Sequence, residues 1–213
     1  VFTPDPVDGT ARRAPLLFRI RGRAYPSLGL AAAMVADTAR FAGGPRRLEP
    51  TALLFDSLRV PVDHGRFLIN WKGPYRDPAD TLHGETFRVF PVARIFRSYQ
   101  QVSAGEPPDV PLETFRGKVV FVGSSGAGLF EARANPFGPN DPGVLIHATI
   151  ADNLLTGDFL SRAPAPVNAA ALLGAALLAG LAVSLLTAAW WRAAAGVCLA
   201  AASLALAFGL FSS

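Results

Sequence analysis

Residues 167–211 carry a single charge, Arg192. Two apolar runs, 167–189 and 193–211, lie on either side of it. At about 1.5 Å rise per residue, a helix over either run is long enough to cross a hydrocarbon core of roughly 30 Å. A buried hairpin in a soluble core is the weaker reading, because core helices rarely run ~20 residues without a charge. Trp190 and Trp191 fall at the joint, where amphipathic rings favour the headgroup layer. The sequence thus predicts a transmembrane hairpin: helix 167–189, a cytoplasmic turn 190–192 and helix 193–211, in contact with the lipid bilayer. Arg192 in that turn suits the positive-inside bias, with the preceding domain outside the cytoplasm. Small residues at Ala176, Gly180 and Ser184 permit close helix approach, within the hairpin or between two copies. A homodimer through the membrane helices is expected.

Residues 1–166 suit one domain. The chain opens on Val1 and stops just after an apolar run, which reads as a piece of a longer protein. The net charge is +4, with 18 arginines and two lysines. The arginines are scattered among acidic residues with no run of five, so nucleic acid is not an expected partner. The lone cysteine, Cys198, sits in the second apolar run, so the domain holds no disulfide.

Along the domain, "LLFRIR" (16–21) reads as a strand. Ser27 is a candidate cap for a helix with Leu28, Ala31, Val35 and Ala39 on one face, stopped at Gly43 and Gly44. A strand is expected near 52–60, then a turn at 63–65 and a strand over 66–71. "PVARIFRSYQQVSAG" reads as a helix with Val92, Ile95, Phe96 and Tyr99 on one side. Residues 119–122 are wholly apolar and mostly β-branched, as in a strand buried on both faces. A helix follows over 144–155. Alternating strands and helices predict an α/β domain with a mixed, partly parallel sheet and flanking helices.

Few residues suggest chemistry. The "GSSGAG" loop after the 119–122 run could cradle an anion on its backbone amides. It matches neither a phosphate-loop nor a dinucleotide or nucleophile-elbow pattern. A tight turn explains its glycines, and ligand contact by Ser124, Ser125, Gly126 and Gly128 remains the open alternative. His147 has no His/Glu or His/Cys spacing around it, so no metal site, catalytic group or cofactor is expected. Asp152 and Asn153 lie beyond it on the same helix. Pro164 and Pro166 stiffen the link to the first apolar run.

Four segments, in order, resemble one family. "DGTARRAPLLFRIRGRAYPSLGLAAA" is similar to the "DG-x-x-RR-x-PL … YPSLAL" pattern of the CHASE type 2 family. "GRFLINWKGP" is similar to its "LLINYRGP", and "FRGKVVFVGSSGAGL" to its "LKGKIVLIGATAPGL". "PFGPNDPGVLIHATIADNLLTGDFLSRAP" resembles "PPGVEIHANALDNLLSGDFLRRP". Leu145 stands where the family usually has Glu, and Thr149 where it often has Asn. "DTLHGETF" matches that family's pattern only loosely.

The resemblance implies an extracytoplasmic (periplasmic) sensory domain, truncated at its N-terminus, on a multi-pass protein of the inner or plasma membrane. It also implies an extracytoplasmic ligand of unknown identity. A third membrane helix would then lead to a cytoplasmic effector: a class III adenylate or guanylate cyclase first, a histidine kinase second, a Ser/Thr kinase third. His147, Asp152, Asn153, Pro164 and Pro166 are the expected relay from domain to membrane. The alternative is a membrane-anchored enzyme holding a nucleotide or phosphate on the loop at 123–128.

Overall fold

The computed structural model describes residues 8–74, 86–124, 132–185, 196–198, 200, 201, 204 and 205. The chain divides into two compact units, Val1–Ser161 and Arg162–Ser213.

In the first unit, β1 (Arg13–Pro15) pairs antiparallel with β7 (Arg66–Leu68), setting Ala14 opposite Phe67. β2 (Leu17–Ile20) and β3 (Arg23–Pro26) form a hairpin. β4 (Arg47–Leu48), β5 (Ala52–Leu54) and β6 (Arg59–Pro61) form a three-stranded antiparallel sheet. The strand expected near 52–60 is therefore two strands, closed by a turn in which Phe55 N–H donates to the Leu58 carbonyl at 2.8 Å. The turn before β7 forms as its sequence suggests. His64 and Gly65 take φ of 50° and 75°, the left-handed pair that a two-residue hairpin turn demands.

α1 (Leu28–Ala36) begins at Ser27, whose Oγ accepts from Leu30 N–H at 3.4 Å. It ends earlier than expected, at Asp37, and its buried face also differs. Leu28 and Val35 are exposed, while Gly29, Leu30 and Ala33 are buried. The reason is the crossing with α3 (Val144–Thr156). A Cβ on Gly29 would stand 2.8 Å from the His147 carbonyl oxygen and 2.9 Å from the Ile150 side chain. The absent side chain lets the two helices meet.

One core joins these parts. Leu16, Leu30, Leu53, Val60, Phe67, Ile150 and Leu154 are essentially inaccessible to solvent. Burial stabilises the fold by about 1.5–3 kcal/mol for each large apolar side chain. Phe41 and Phe55 meet edge to face at 5.2 Å.

α2 (Val92–Ser103) matches the helix expected there. It is fastened to the following loop by polar contacts. Ser98 Oγ accepts from Val110 N–H at 2.9 Å, and Gln101 Oε1 accepts from Asp109 N–H at 2.8 Å. β8 (Ala132–Asn135) and β9 (Gly138–Pro142) form a last hairpin. Its turn is held by Asn135 Oδ1, which accepts from the N–H groups of Phe137 and Gly138 at 2.8 and 2.9 Å.

Two sequence expectations are corrected. Every strand pairing among the described residues is antiparallel, so the class is α/β built on small antiparallel sheets. Residues 119–122 form no strand, and Val119, Val120 and Val122 are exposed. An apolar run becomes a strand only when a neighbour supplies its backbone partners, and none of the described strands lies alongside this one.

In the second unit, α4 (Ala165–Leu185) carries the first apolar run as far as Leu185. Pro164 carbonyl accepts from the N–H groups of Val167 and Asn168 at 3.0 and 3.2 Å. Pro166 sits in the first turn, where its missing N–H costs nothing. Among the described residues no helix is long and apolar enough to cross a membrane. The side chains of residues 182, 183 and 185, and most of the run 193–211, lie outside the described residues.

Candidate functional site

The polar residues that the fold gathers most tightly surround the C-terminal half of α3. Asn153 is fully buried. Its Oδ1 accepts from Asn70 N–H at 2.9 Å and its Nδ2 donates to the Asn70 carbonyl at 3.0 Å. The side-chain amide therefore acts as a peptide group would, pairing with the backbone just beyond β7. Asn153 is cut off from water on its side of both bonds, although Asn70 is only half-buried, which makes each bond costly for Asn153 to lose.

The segment after the helix completes the arrangement. Gly157 takes the left-handed conformation, φ 77°, and its N–H and that of Asp158 both donate to the Asn153 carbonyl. Asp158 Oδ1 accepts from Asn70 Nδ2 at 2.9 Å, and its other oxygen pairs with Lys72 Nζ. The hydrogen bond from Lys72 holds the Asp158 carboxyl below the usual carboxylate range, aided by that from Asn70. Arg40 Nη1 donates to the Leu155 carbonyl at 2.6 Å, tying the segment after α1 to the last turn of α3. Trp71 Nε1 donates to the Ala11 carbonyl at 2.7 Å. The segment just beyond β7, residues 70–72, is thus fastened to both α3 and the N-terminal segment.

The sequence-predicted residues fall at different distances from this clasp. Asn153 is its centre. Asp152 is half-buried, with Oδ2 4.0 Å from Lys72 Nζ. His147 lies nearly two turns upstream, half-buried, and its Nδ1 is buried without a hydrogen-bond partner among the described residues. Burial pushes its imidazole below its ordinary pKa, so neutral pH finds it uncharged. Pro164 and Pro166 belong to the second unit.

Ser124 is half-buried. Ser125, Gly126 and Gly128 lie outside the described residues. Gly123 has a packing reason to be glycine: a Cβ there would stand 2.5 Å from that of Val144, in the first turn of α3. Among the described residues no group of three or more His, Cys, Asp or Glu could hold a metal.

Sequence reasoning passed over Asn70, Lys72, Asp158 and Arg40. The first three lie in the "INWK" and "TGDF" stretches already noted for their resemblance, and Lys72 is one of only two lysines. That was the available signal.

The model of the CHASE2 domain matches residues 2–189, most of the chain. The chain belongs to the CHASE2 family. CHASE2 domains are extracytoplasmic, non-catalytic sensory domains of signalling proteins, and at that level the role of this chain is sensory. No curated protein and no solved structure matches it. Two of the departures from the family pattern have a place in this CHASE2 fold: Leu145 and Thr149 are both buried on α3.

Proposed function

We propose that this CHASE2 chain is the input module of a membrane-bound signalling protein. A stimulus outside the cytoplasm shifts the domain between two states. The change passes along α3 and the link at 163–166 to helices over 167–189 and 193–211, and from there to a cytoplasmic effector. A class III adenylate or guanylate cyclase is the preferred effector, a histidine kinase second and a Ser/Thr kinase third. Homodimerisation through the small-residue stripe at Ala176, Gly180 and Ser184 would couple two such effectors.

The observation that carries this reading is the clasp on Asn153. It makes α3 one body with the core, and α3 is the element that precedes the link and α4 in the chain. The membrane part rests on composition: residues 167–211 hold one charge, Arg192. Of the loop on which the nucleotide-binding alternative rests, contact with Val144 accounts for Gly123, while Ser125, Gly126 and Gly128 lie outside the described residues.

Reporter fusions test the topology. Activity specific to the extracytoplasmic side is expected at residue 120, and to the cytoplasmic side at residue 191. A cytoplasmic residue 120 would overturn the proposal. Reading the gene beyond residue 213 tests the effector: a third span and a cyclase or kinase domain are expected, and finding neither would overturn that part.

A further inference from the structure

Beside the clasp, the C-terminal end of α1, one side of α3 and the segment 117–121 enclose an open cavity of about 490 Å³. That size lies within the roughly 300–1,000 Å³ of small-ligand sites. Ala148, Ala151 and Phe121 give it apolar walls, and Asp37, Lys118 and Asp152 bring charge to it. The three charges are not equivalent. Asp152 is shared with Lys72 at 4.0 Å. Asp37 accepts only the backbone N–H of Arg40, through Oδ1 at 2.9 Å, and has no ion-pair partner among the described residues. Lys118 has none there either. A carboxylate and an ammonium, neither in an ion pair among the described residues, thus line the same half-apolar space. A ligand with both charges and an apolar body satisfies all of it, whereas a simple anion or cation leaves one group uncompensated.

We propose that this cavity binds a small apolar zwitterion, an apolar amino acid or short apolar peptide. Lys118 takes the carboxylate, Asp37 takes the ammonium, and Ala148, Ala151 and Phe121 hold the side chain. The inference rests on the sensory reading above and gives it a ligand class. An occupied cavity braces the exposed 117–121 segment against α3, the helix that Asn153 fastens to the core.

Calorimetric titration of the purified full chain in mild detergent, with leucine and leucyl-leucine as probes, tests it. At least one should bind with Kd below about 1 mM, and N-acetyl-leucine and leucinamide, each lacking one charge, at least about tenfold more weakly than leucine. Lys118→Met should weaken leucine but not leucinamide, and Asp37→Asn should weaken leucine but not N-acetyl-leucine. Ala148→Phe, which fills the cavity, should abolish binding with the far-UV spectrum unchanged; should that variant misfold, the two charge variants still decide. No binding of either probe, or equal binding to wild type and both charge variants, would overturn the proposal. Neither result touches the sensory reading, which the fusions and the gene sequence judge separately.

Discussion

α2 and α3 are helices of similar length, 12 and 13 residues, with opposite fates. α2 sorts its apolar residues cleanly to one side, yet Val92, Phe96 and Tyr99 are 79, 60 and 69% exposed, and its one buried residue is Ser98. α3 has a weaker pattern and buries Leu145, Ile146, Thr149, Ile150, Ala151, Asn153 and Leu154. Periodicity tells which side of a helix prefers to leave water. It does not tell whether the rest of the chain offers a surface there. α3 has the Gly29 crossing and the Asn70 backbone to meet; α2 has hydrogen bonds to the 109–110 loop.

The contrast can be broken by mutation, read as urea unfolding of the full chain. Leu154→Ala removes a fully buried side chain and should cost about 2–5 kcal/mol. Asn153→Ala removes both bonds to the half-buried backbone of Asn70 and leaves a gap in the core, an expected loss of about 1–3 kcal/mol. Gly29→Ala forces a Cβ against α3 and should cost about 1–3 kcal/mol; a neutral result would mean that the crossing relaxes freely.

A smaller effect is expected from pH. Burial keeps the folded His147 below the ordinary value of 6.5. Between that lowered pKa and about 6.5, the unfolded chain binds a proton that the folded one does not. The contribution is therefore complete above about pH 6.5 and is lost as pH falls through that window. His147→Gln should flatten the stability slope between pH 7 and 5. Smallest of all, Phe96→Ser and Tyr99→Ser should stay within about 0.5 kcal/mol of wild type. A loss there approaching that of Leu154→Ala would mean that α2 is packed in solution after all.

Local signals were legible where the chain answers to its near neighbours. Ser27 caps α1, His64 and Gly65 turn the chain before β7, and α2 and α3 stand close to their expected bounds. Decisions made by distant contacts were not legible. The buried face of α1 was misplaced because the glycine that decides it is read as a gap in an apolar stripe, not as the contact itself. Residues 119–122 have the composition of a buried strand but no described strand beside them. At the site, Asn153 stood out as a polar residue on α3, yet its role depends on a backbone 83 positions away. Lys72 and Asp158, 86 positions apart, are likewise partners only through the fold.

The bonds from residue 153 to residue 70 also close a long stretch of chain on itself, within which α2 buries only Ser98. The free energy of closing such a circuit changes slowly with its length, by about 0.6 kcal/mol for each doubling. Insertions or deletions beside α2 are consequently cheap for the core: the circuit can lengthen while the fastening at its base keeps its geometry.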